Sequence, residues 1–280
     1  MKAEGGTVVL GGWRFRLARD SDHPAAEQPE ELAALAYAVA GGRAGRLLRR
    51  SRRAASFRAA VRTGYTPDTE VFIKLIDPPR GLARLKAMLR GSSAEHVARA
   101  TQRLNAAGFS APPVLLHGRE TIGGRELLLM PIVHGDGPFK ALETMLGYKR
   151  AMLRALGAEI ARLHRAGFIH GDLTPYNMFV TRGEPPRFTF VDHERTRMAF
   201  FAGRRRRQLR NLVQLGRFDL PGLSRTDRMR VLHAYAGSLN GPSWRSLRRR
   251  AAAMLERRVR RDGLEPARRT AVMCENSDDR

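Results

Sequence analysis

The chain has one cysteine, Cys274, among 280 residues. A lone thiol closes no internal disulfide and builds no cysteine-rich zinc cluster, so the sequence suits a reducing compartment. Long apolar runs are missing as well. Met1 to Leu17 lacks an apolar core of signal-peptide length, and no stretch reaches the ~18 to 20 apolar residues that span a bilayer, so a cytoplasmic protein is expected. Acidic residues are scarce beside basic ones, 27 against 51, which leaves a formal charge of +24. That excess implies attraction to phosphorylated partners, either nucleic acid or anionic lipid headgroups. Two Trp and five Tyr give few platforms for base stacking, and no zinc-ligand set, RNP-like aromatic motif or clear helix-turn-helix is visible. Nucleic-acid binding would explain the arginines but not the carboxylate and amide spacing described below.

The length suits one two-lobed domain or two small ones. From Leu47 to Met130, short β-like runs alternate with one helix, whereas helical periodicity dominates from Thr144 onward. The expected architecture is therefore α+β, with an N-terminal extension and small β-rich N-lobe over 1–133 and a larger helical C-lobe over 134–280. Phe57 to Val61 and Val71 to Ile76 read as strands on either side of a turn-rich segment at 63–68, and Leu127 to Pro131 reads as an apolar strand. Ser92 to Glu95 has the form of a capping box, opening a helix with the apolar stripe Val97, Ala100 and Leu104 and a stop at Gly108. A helix from Met145 to Ala166 carries Tyr148, Met152, Leu156, Ile160 and Leu163, with Gly167 at its far end. Gln208 to Leu215, Arg225 to Leu239 and Trp244 to Val259 read as further helices, and Glu275 to Arg280 as a frayed end.

The residues that carry chemistry follow the Met145 to Ala166 helix. His170-Gly171-Asp172-Leu173-Thr174-Pro175-Tyr176-Asn177 has the pattern His-x-Asp-Leu-x-x-x-Asn. The polar stretch 181–187 then turns the chain back into Phe188 to Val191, a hairpin that presents Asp192 at its end. Three oxygen-bearing side chains fall into separate jobs. Asp172 accepts or orients the proton of an attacking hydroxyl, while Asn177 and Asp192 hold metal ions that bridge the phosphates of a nucleotide. A transferred phosphoryl group needs alignment and charge neutralisation more than covalent help. Mg²⁺ prefers hard oxygen ligands and keeps several waters, so one carboxylate, one amide and the phosphates suffice. His170 is a structural brace in this scheme.

About a hundred residues upstream, Val71-Phe72-Ile73-Lys74-Leu75-Ile76 places one cation inside an apolar strand. The strand resembles the one that, in protein-kinase-like folds, carries a lysine gripping the α- and β-phosphates and pairing with a helix glutamate, which makes Lys74 and Glu95 the candidates for those roles. Capping alone also explains Glu95. Ser51-Arg52-Arg53-Ala54-Ala55-Ser56 stands where a Gly-rich phosphate loop is expected, and it contains no glycine. Serine hydroxyls, backbone N–H groups and the two arginines can engage phosphate in its place.

Lys74, the His170 to Asn177 loop and Asp192 together resemble the protein-kinase-like superfamily. Further segments are similar to its lipopolysaccharide kinase branch, which includes Kdo kinase and heptose kinases. These are Ala107-Gly108-Phe109-Ser110-Ala111-Pro112, Asp192-His193-Glu194-Arg195-Thr196-Arg197 in place of Asp-Phe-Gly, Arg210-Asn211-Leu212-Val213-Gln214-Leu215, and Asp227-Arg228-Met229-Arg230. The resemblance covers Leu47 to Tyr235. It implies a two-lobed protein-kinase-like fold and transfer of phosphate from ATP, with Mg²⁺, to a sugar hydroxyl of a lipid A-linked core oligosaccharide. It also implies work at the inner face of the inner membrane, as a peripheral protein. Glu194 stands where Asp-Phe-Gly has its glycine and no Ala-Pro-Glu segment follows, so neither a regulated switch nor peptide docking is expected. His170-Gly171-Asp172 also matches aminoglycoside and choline phosphotransferases, which makes a soluble hydroxylated molecule the alternative acceptor. Those enzymes resemble one another in an acidic Gly-Asp-Pro region after the metal aspartate, where this chain has Phe200-Phe201-Ala202-Gly203 and four arginines.

The arginines form two groups, Arg43, Arg46, Arg49, Arg50, Arg52 and Arg53 before the first hairpin and Arg204 to Arg207 after Asp192. Bordering a site, they would attract a polyanionic acceptor in a salt-sensitive way. Trp244, Leu247, Ala251, Met254, Leu255 and Val259 form an apolar stripe opposed by arginines, which either packs inward on the C-lobe or lies on an anionic membrane.

Overall fold

The computed structural model describes residues 2–4, 6–17, 23–63, 66–79, 81, 91–137, 140–141, 146–199, 203–218, 222–239 and 243–262. Cys274, the expected frayed end, Met145 and the middle of the 63–68 turn lie outside those residues. The chain divides into two units, Met1–Arg103 with Pro112–Val133 and Leu104–Ala111 with His134–Arg280.

The first unit is built on an eight-stranded antiparallel sheet. Its strands are β1 (Lys2–Glu4), β2 (Thr7–Leu10), β3 (Trp13–Leu17), β4 (Arg46–Arg50), β5 (Ala54–Thr63), β6 (Thr66–Ile76), β7 (Leu116–Glu120) and β8 (Glu126–Pro131), in the order β1-β2-β3-β7-β8-β6-β5-β4. Period-two burial sets their faces: in β3 Trp13 and Phe15 are buried while Arg14 and Arg16 point outward. Helix α1 (Pro29–Ala40) has Pro29 at its first turn and Glu30 and Glu31 beside it, both favourable at a helix N-terminus. It buries Leu32, Ala33, Ala36 and Val39 in a cluster with Val8, Phe15, Val71, Ile73, Leu127 and Leu129 of the sheet. Sequence pattern assigns no element before Leu47, because strands of three to five residues and an alanine-rich helix give weak periodicity. Strands β5 and β6 are longer than expected, closing at Thr63 opposite Thr66.

Helix α2 (Ser93–Ala106) begins as its capping signal requires. Ser92 Oγ accepts from the Glu95 amide at 3.2 Å, and a Glu126 carboxylate oxygen accepts from the Ala94 amide at 2.9 Å, satisfying two otherwise unpaired donors. Gly108, with φ +75°, ends it. The expected N-lobe ran unbroken to 133, whereas residues 104–111 group with the second unit. The reason is apolar: Leu104, Phe109 and Ala111 share a small core with Leu163 and Phe168.

The second unit is mostly helical. A 3₁₀ turn, Leu146–Tyr148, precedes α3 (Lys149–Arg165), so the α-helix starts later than the Met145 expected. Next come β9 (Phe168–Ile169), the hairpin β10 (Met178–Thr181) and β11 (Arg187–Phe190), and β12 (Arg197–Met198), which pairs with β9. Helices α4 (Arg204–Gly216), α5 (Arg225–Gly237) and α6 (Trp244–Asp262) complete it. Met152, Leu156, Ile160, Phe188, Leu212 and Val231 belong to its shared core. Gly157 on α3 lets α5 approach closely: an added Cβ would stand 2.3 Å from the Val231 carbonyl oxygen.

Helix α4 takes in Arg204 to Arg207, four cations at a helix start where the dipole disfavours them. Arg204 offsets this by donating to the His164 and Arg165 carbonyls at the C-terminal end of α3, where a cation is welcome. The α6 stripe turns inward: Leu247 and Ala251 are buried and Trp244, Met254 and Leu255 pack on the core. Its apolar face is thus used within the protein and is not offered to a bilayer. Among the described residues, no helix is long and apolar enough to cross a membrane.

Candidate active site

Asp172, Asn177 and Asp192 come together in the second unit through bonds to main chain. Asn177 Nδ2 donates to the Asp172 carbonyl at 2.9 Å, and the Val191 amide donates to the Asn177 carbonyl at 3.0 Å. The first bond spans the loop, and the second ties the loop to the residue that precedes Asp192. The Thr174 amide also donates to the Asp172 carbonyl, at 2.9 Å, before the 3₁₀ turn Pro175–Asn177 carries the chain into β10. Gly171 has to be glycine on two counts. Its φ is +76°, and a Cβ would stand 2.4 Å from the Arg195 carbonyl oxygen.

His170 braces this arrangement. Its ring is buried, and Nε2 lies 3.0 Å from the Val191 carbonyl oxygen. A carbonyl only accepts, so Nε2 carries the proton and Nδ1 is an acceptor, which is buried without a hydrogen-bond partner. Burial lowers the pKa of His170, against the opposing pull of the Asp192 and Asp172 charges, and keeps the ring neutral.

Asp192 is the one non-glycine with positive φ among the described residues, at φ 63° and ψ 63°. A left-handed aspartate costs on the order of 1 kcal/mol and persists where its neighbours are pinned. Both sides are pinned here. Val191 is held at its amide and its carbonyl, and the His193 ring lies 2.8 Å from the Phe190 carbonyl oxygen through Nε2 and 3.0 Å from the Thr196 hydroxyl through Nδ1. Burial, with the nearby His170, drops the pKa of His193 to about 3.

The donor set fits Mg²⁺ better than a caged metal. Among the described residues, no group of three or more His, Cys, Asp or Glu is placed to hold an ion. A hard cation that keeps waters and phosphate oxygens needs only the Asp192 carboxylate and the Asn177 Oδ1, the amide's nitrogen being bonded to Asp172.

Lys74 and Glu95 belong to the first unit. Lys74 lies in β6, paired with Ser56 of β5 on one side and Leu128 of β8 on the other, and it is half-buried on the same face as buried Phe72. Glu95 sits in the first turn of α2 and forms an ion pair with Arg99 at 3.9 Å, a helical pairing one turn apart. The glycine-free segment is a tight turn between β4 and β5. Ser51 Oγ and the Ala54 main chain bond each other at 3.1 Å, and Arg52 and Arg53 are exposed. Arg46, Arg49 and Arg50 line the edge strand β4, where charge also blocks edge-to-edge pairing.

Pattern reading singled out the Arg210 to Leu215 segment but gave no role to its polar groups Asn211 and Gln214, which stand behind the loop. Asn211 Oδ1 accepts from the His170 amide at 3.1 Å, and Gln214 Nε2 donates to the Gly171 carbonyl at 3.0 Å and to Asp172 Oδ1 at 3.4 Å. The available signal was two amides three residues apart on one helix face.

Residues 97–235 match the model of the lipopolysaccharide kinase (Kdo/WaaP) family. No curated protein matches the chain. Among solved structures, "WaaP in complex with acyl carrier protein" is similar at 19% identity and a TM-score of 0.54, covering 78% of this chain and 88% of that one. At that identity the likeness bears on fold, and it agrees with a two-lobed, protein-kinase-like α+β architecture. Through residues 97–235, the chain belongs to the lipopolysaccharide kinase (Kdo/WaaP) family.

Proposed function

We propose that this protein transfers the γ-phosphate of ATP to a sugar hydroxyl, on Kdo or heptose, of the lipid A-linked core oligosaccharide. Family membership supports a lipopolysaccharide kinase, and a kinase family implies ATP, typically with Mg²⁺. The observation that supports phosphotransfer is the pair of bonds at Asn177, whose Nδ2 donates to the Asp172 carbonyl and whose own carbonyl accepts from the Val191 amide, so that the main chain at all three oxygen-bearing residues is tied together.

Asp172 is the residue that orients the acceptor hydroxyl and receives its proton. As that oxygen bonds to the γ-phosphorus, the link from the γ-phosphorus to the β-phosphate oxygen breaks, and ADP departs with the electron pair. The proton passes from Asp172 to solvent. Asn177 and Asp192 are the residues to hold Mg²⁺, which supplies charge neutralisation on the phosphates when bound. Lys74 grips the α- and β-phosphates, with Glu95 as its partner. The work is assigned to the cytoplasmic face of the inner membrane. The exposed Arg248, Arg249, Arg250, Arg257, Arg258 and Arg260 of α6 supply a basic surface for anionic headgroups there.

The test is transfer of label from γ-labelled ATP, with Mg²⁺, to core lipopolysaccharide, aminoglycosides or choline. Label on core lipopolysaccharide is the expected result. Label only on the soluble molecules would replace the acceptor, and salt-sensitive nucleic-acid binding without turnover would favour a non-enzyme.

A further inference from the structure

Four polar side chains of the second unit, none used in the reaction above, form a hydrogen-bonded file that ends on Asp172. The Tyr235 hydroxyl on α5 lies 2.9 Å from His164 Nδ1 on α3, and His164 Nε2 lies 3.2 Å from Asn211 Oδ1 on α4. Asn211 Nδ2 then reaches Gln214 Oε1 at 3.0 Å, and Gln214 Nε2 reaches Asp172 Oδ1 at 3.4 Å and the Gly171 carbonyl at 3.0 Å. His164, Asn211 and Tyr235 are all buried. Buried polar groups in such numbers are costly unless each is matched, and these are matched to one another.

The chemistry of the partners allows one direction of donation along the file. The His170 amide can only donate, so the group of Asn211 facing it at 3.1 Å is the oxygen. His164 Nε2 points at that same oxygen and therefore carries the ring proton. A neutral imidazole has one N–H, so His164 Nδ1 accepts and Tyr235 donates. Burial lowers the pKa of His164 to about 4 and pushes that of Tyr235 up, which fixes the neutral ring and the protonated phenol at pH 7. Asn211 turns its nitrogen to Gln214 and meets the oxygen of that amide. The Gln214 nitrogen is left to face two groups that can only accept, the Gly171 carbonyl and the Asp172 carboxylate. Every link runs toward the carboxylate, the arrangement in which successive hydrogen bonds polarise one another.

We propose that Gln214 is a positioning residue for phosphotransfer, the last donor of a one-way chain from Tyr235 that holds Asp172 Oδ1 and leaves Oδ2 to the acceptor hydroxyl. The role rests on the reading of Asp172 as the group that meets that hydroxyl. Asn211 contributes twice, since it orients Gln214 and also holds the His170 amide, so the main chain on both sides of Gly171 is tied to α4. A purely structural amide needs only the Gly171 carbonyl; the contact to Asp172 is what couples the chain to the reaction.

The experiment has two arms on the full-length protein. In the kinetic arm, Gln214→Leu keeps the bulk and removes the donor, while Gln214→Glu puts acceptors opposite two acceptors. The expected result for Gln214→Leu is a kcat lowered about ten- to a hundred-fold with KM for ATP within about twofold, the signature of a misplaced catalytic group. Gln214→Glu is expected to fall further, and Tyr235→Phe to lose less than either. An unchanged kcat in a folded Gln214→Leu protein would overturn the positioning role, as would a loss confined to the KM for ATP. In the second arm, no acceptor is needed. The side-chain amide signal of Gln214 in ¹⁵N spectra, identified by its disappearance in Gln214→Leu, is expected to be protected from solvent exchange and to shift in Asp172→Ala. A solvent-like signal indifferent to Asp172→Ala would overturn the chain itself. Absence of transfer by the wild-type protein to every acceptor would instead defeat the phosphotransfer reading, with the amide signal still deciding whether Gln214 holds Asp172.

Discussion

Lys74 and Asp172 are held by different kinds of structure. Lys74 lies in β6 with main-chain ladders on both sides, so its backbone position does not depend on its own side chain. At Asp172 no ladder is available, since the β9 pairing stops at Ile169. The loop is held by side chains reaching main chain, from His170, Asn177, Asn211 and Gln214. A ladder-held position tolerates change of its side chain, whereas in the loop the residues beside the chemistry are also the supports.

The largest effect expected is on transfer. Asp172→Ala should lower the initial rate of phosphotransfer by about 10²- to 10⁴-fold, the range for removing a proton-handling group. Lys74→Met should cause a loss of similar order, and thermal melts should stay close to wild type because the strand pairing survives. A Lys74→Met protein that melts early would break the contrast.

Backbone changes come next and should separate the regions by stability. Gly171→Ala meets both a positive φ and the Arg195 main chain, and it should cost on the order of 2 kcal/mol or more in urea unfolding. Gly124→Ala, in the β7–β8 turn, has a positive φ of +71° but nothing nearer than Pro78 Cβ at 4.0 Å, so it should cost about 1 kcal/mol.

Acid sharpens the same comparison. His164 and His193 have pKa values of about 4 and about 3 in the folded chain, lowered chiefly by burial from the ordinary 6.5. The unfolded chain therefore binds more protons below pH 6.5, so their contribution is complete above that pH and is lost as pH falls toward 4 and 3. The slope approaches ~1.4 kcal/mol per pH unit for each ring. Urea midpoints measured at pH 7.5, 6 and 5 should show the decline, and His193→Gln should flatten it.

The smallest effect concerns the surface. Reversing Arg249, Arg250 and Arg257 to Glu should weaken binding to anionic vesicles by about 1 kcal/mol or more per charge at low salt, as read by co-sedimentation. Thermal stability should be unaffected, because those side chains are exposed while the α6 stripe is buried.

The two regions also differed in how far sequence could describe them. The spacing from His170 to Asn177 and the hairpin leading to Asp192 were readable because each is local and each residue type has a defined chemical job. Helices α2, α3 and α6 were readable from apolar periodicity. Arg204 to Arg207 were not read as helix because four cations oppose the dipole, and the compensation by the α3 carbonyls is long-range. Gln214 was hidden for the same reason. Its partners Gly171 and Asp172, and the His164 and Tyr235 that stand behind its neighbour Asn211, are reached only after α3, α4 and α5 have packed, and no sequence spacing records that packing.

The most direct measurement is transfer of γ-labelled phosphate from ATP to core lipopolysaccharide by the wild-type protein and by Asp172→Ala, side by side. The account predicts Mg²⁺-dependent label on the core sugars with wild type and a loss of at least about a hundred-fold with Asp172→Ala. Equal labelling by a folded Asp172→Ala protein, or none by wild type, would contradict it.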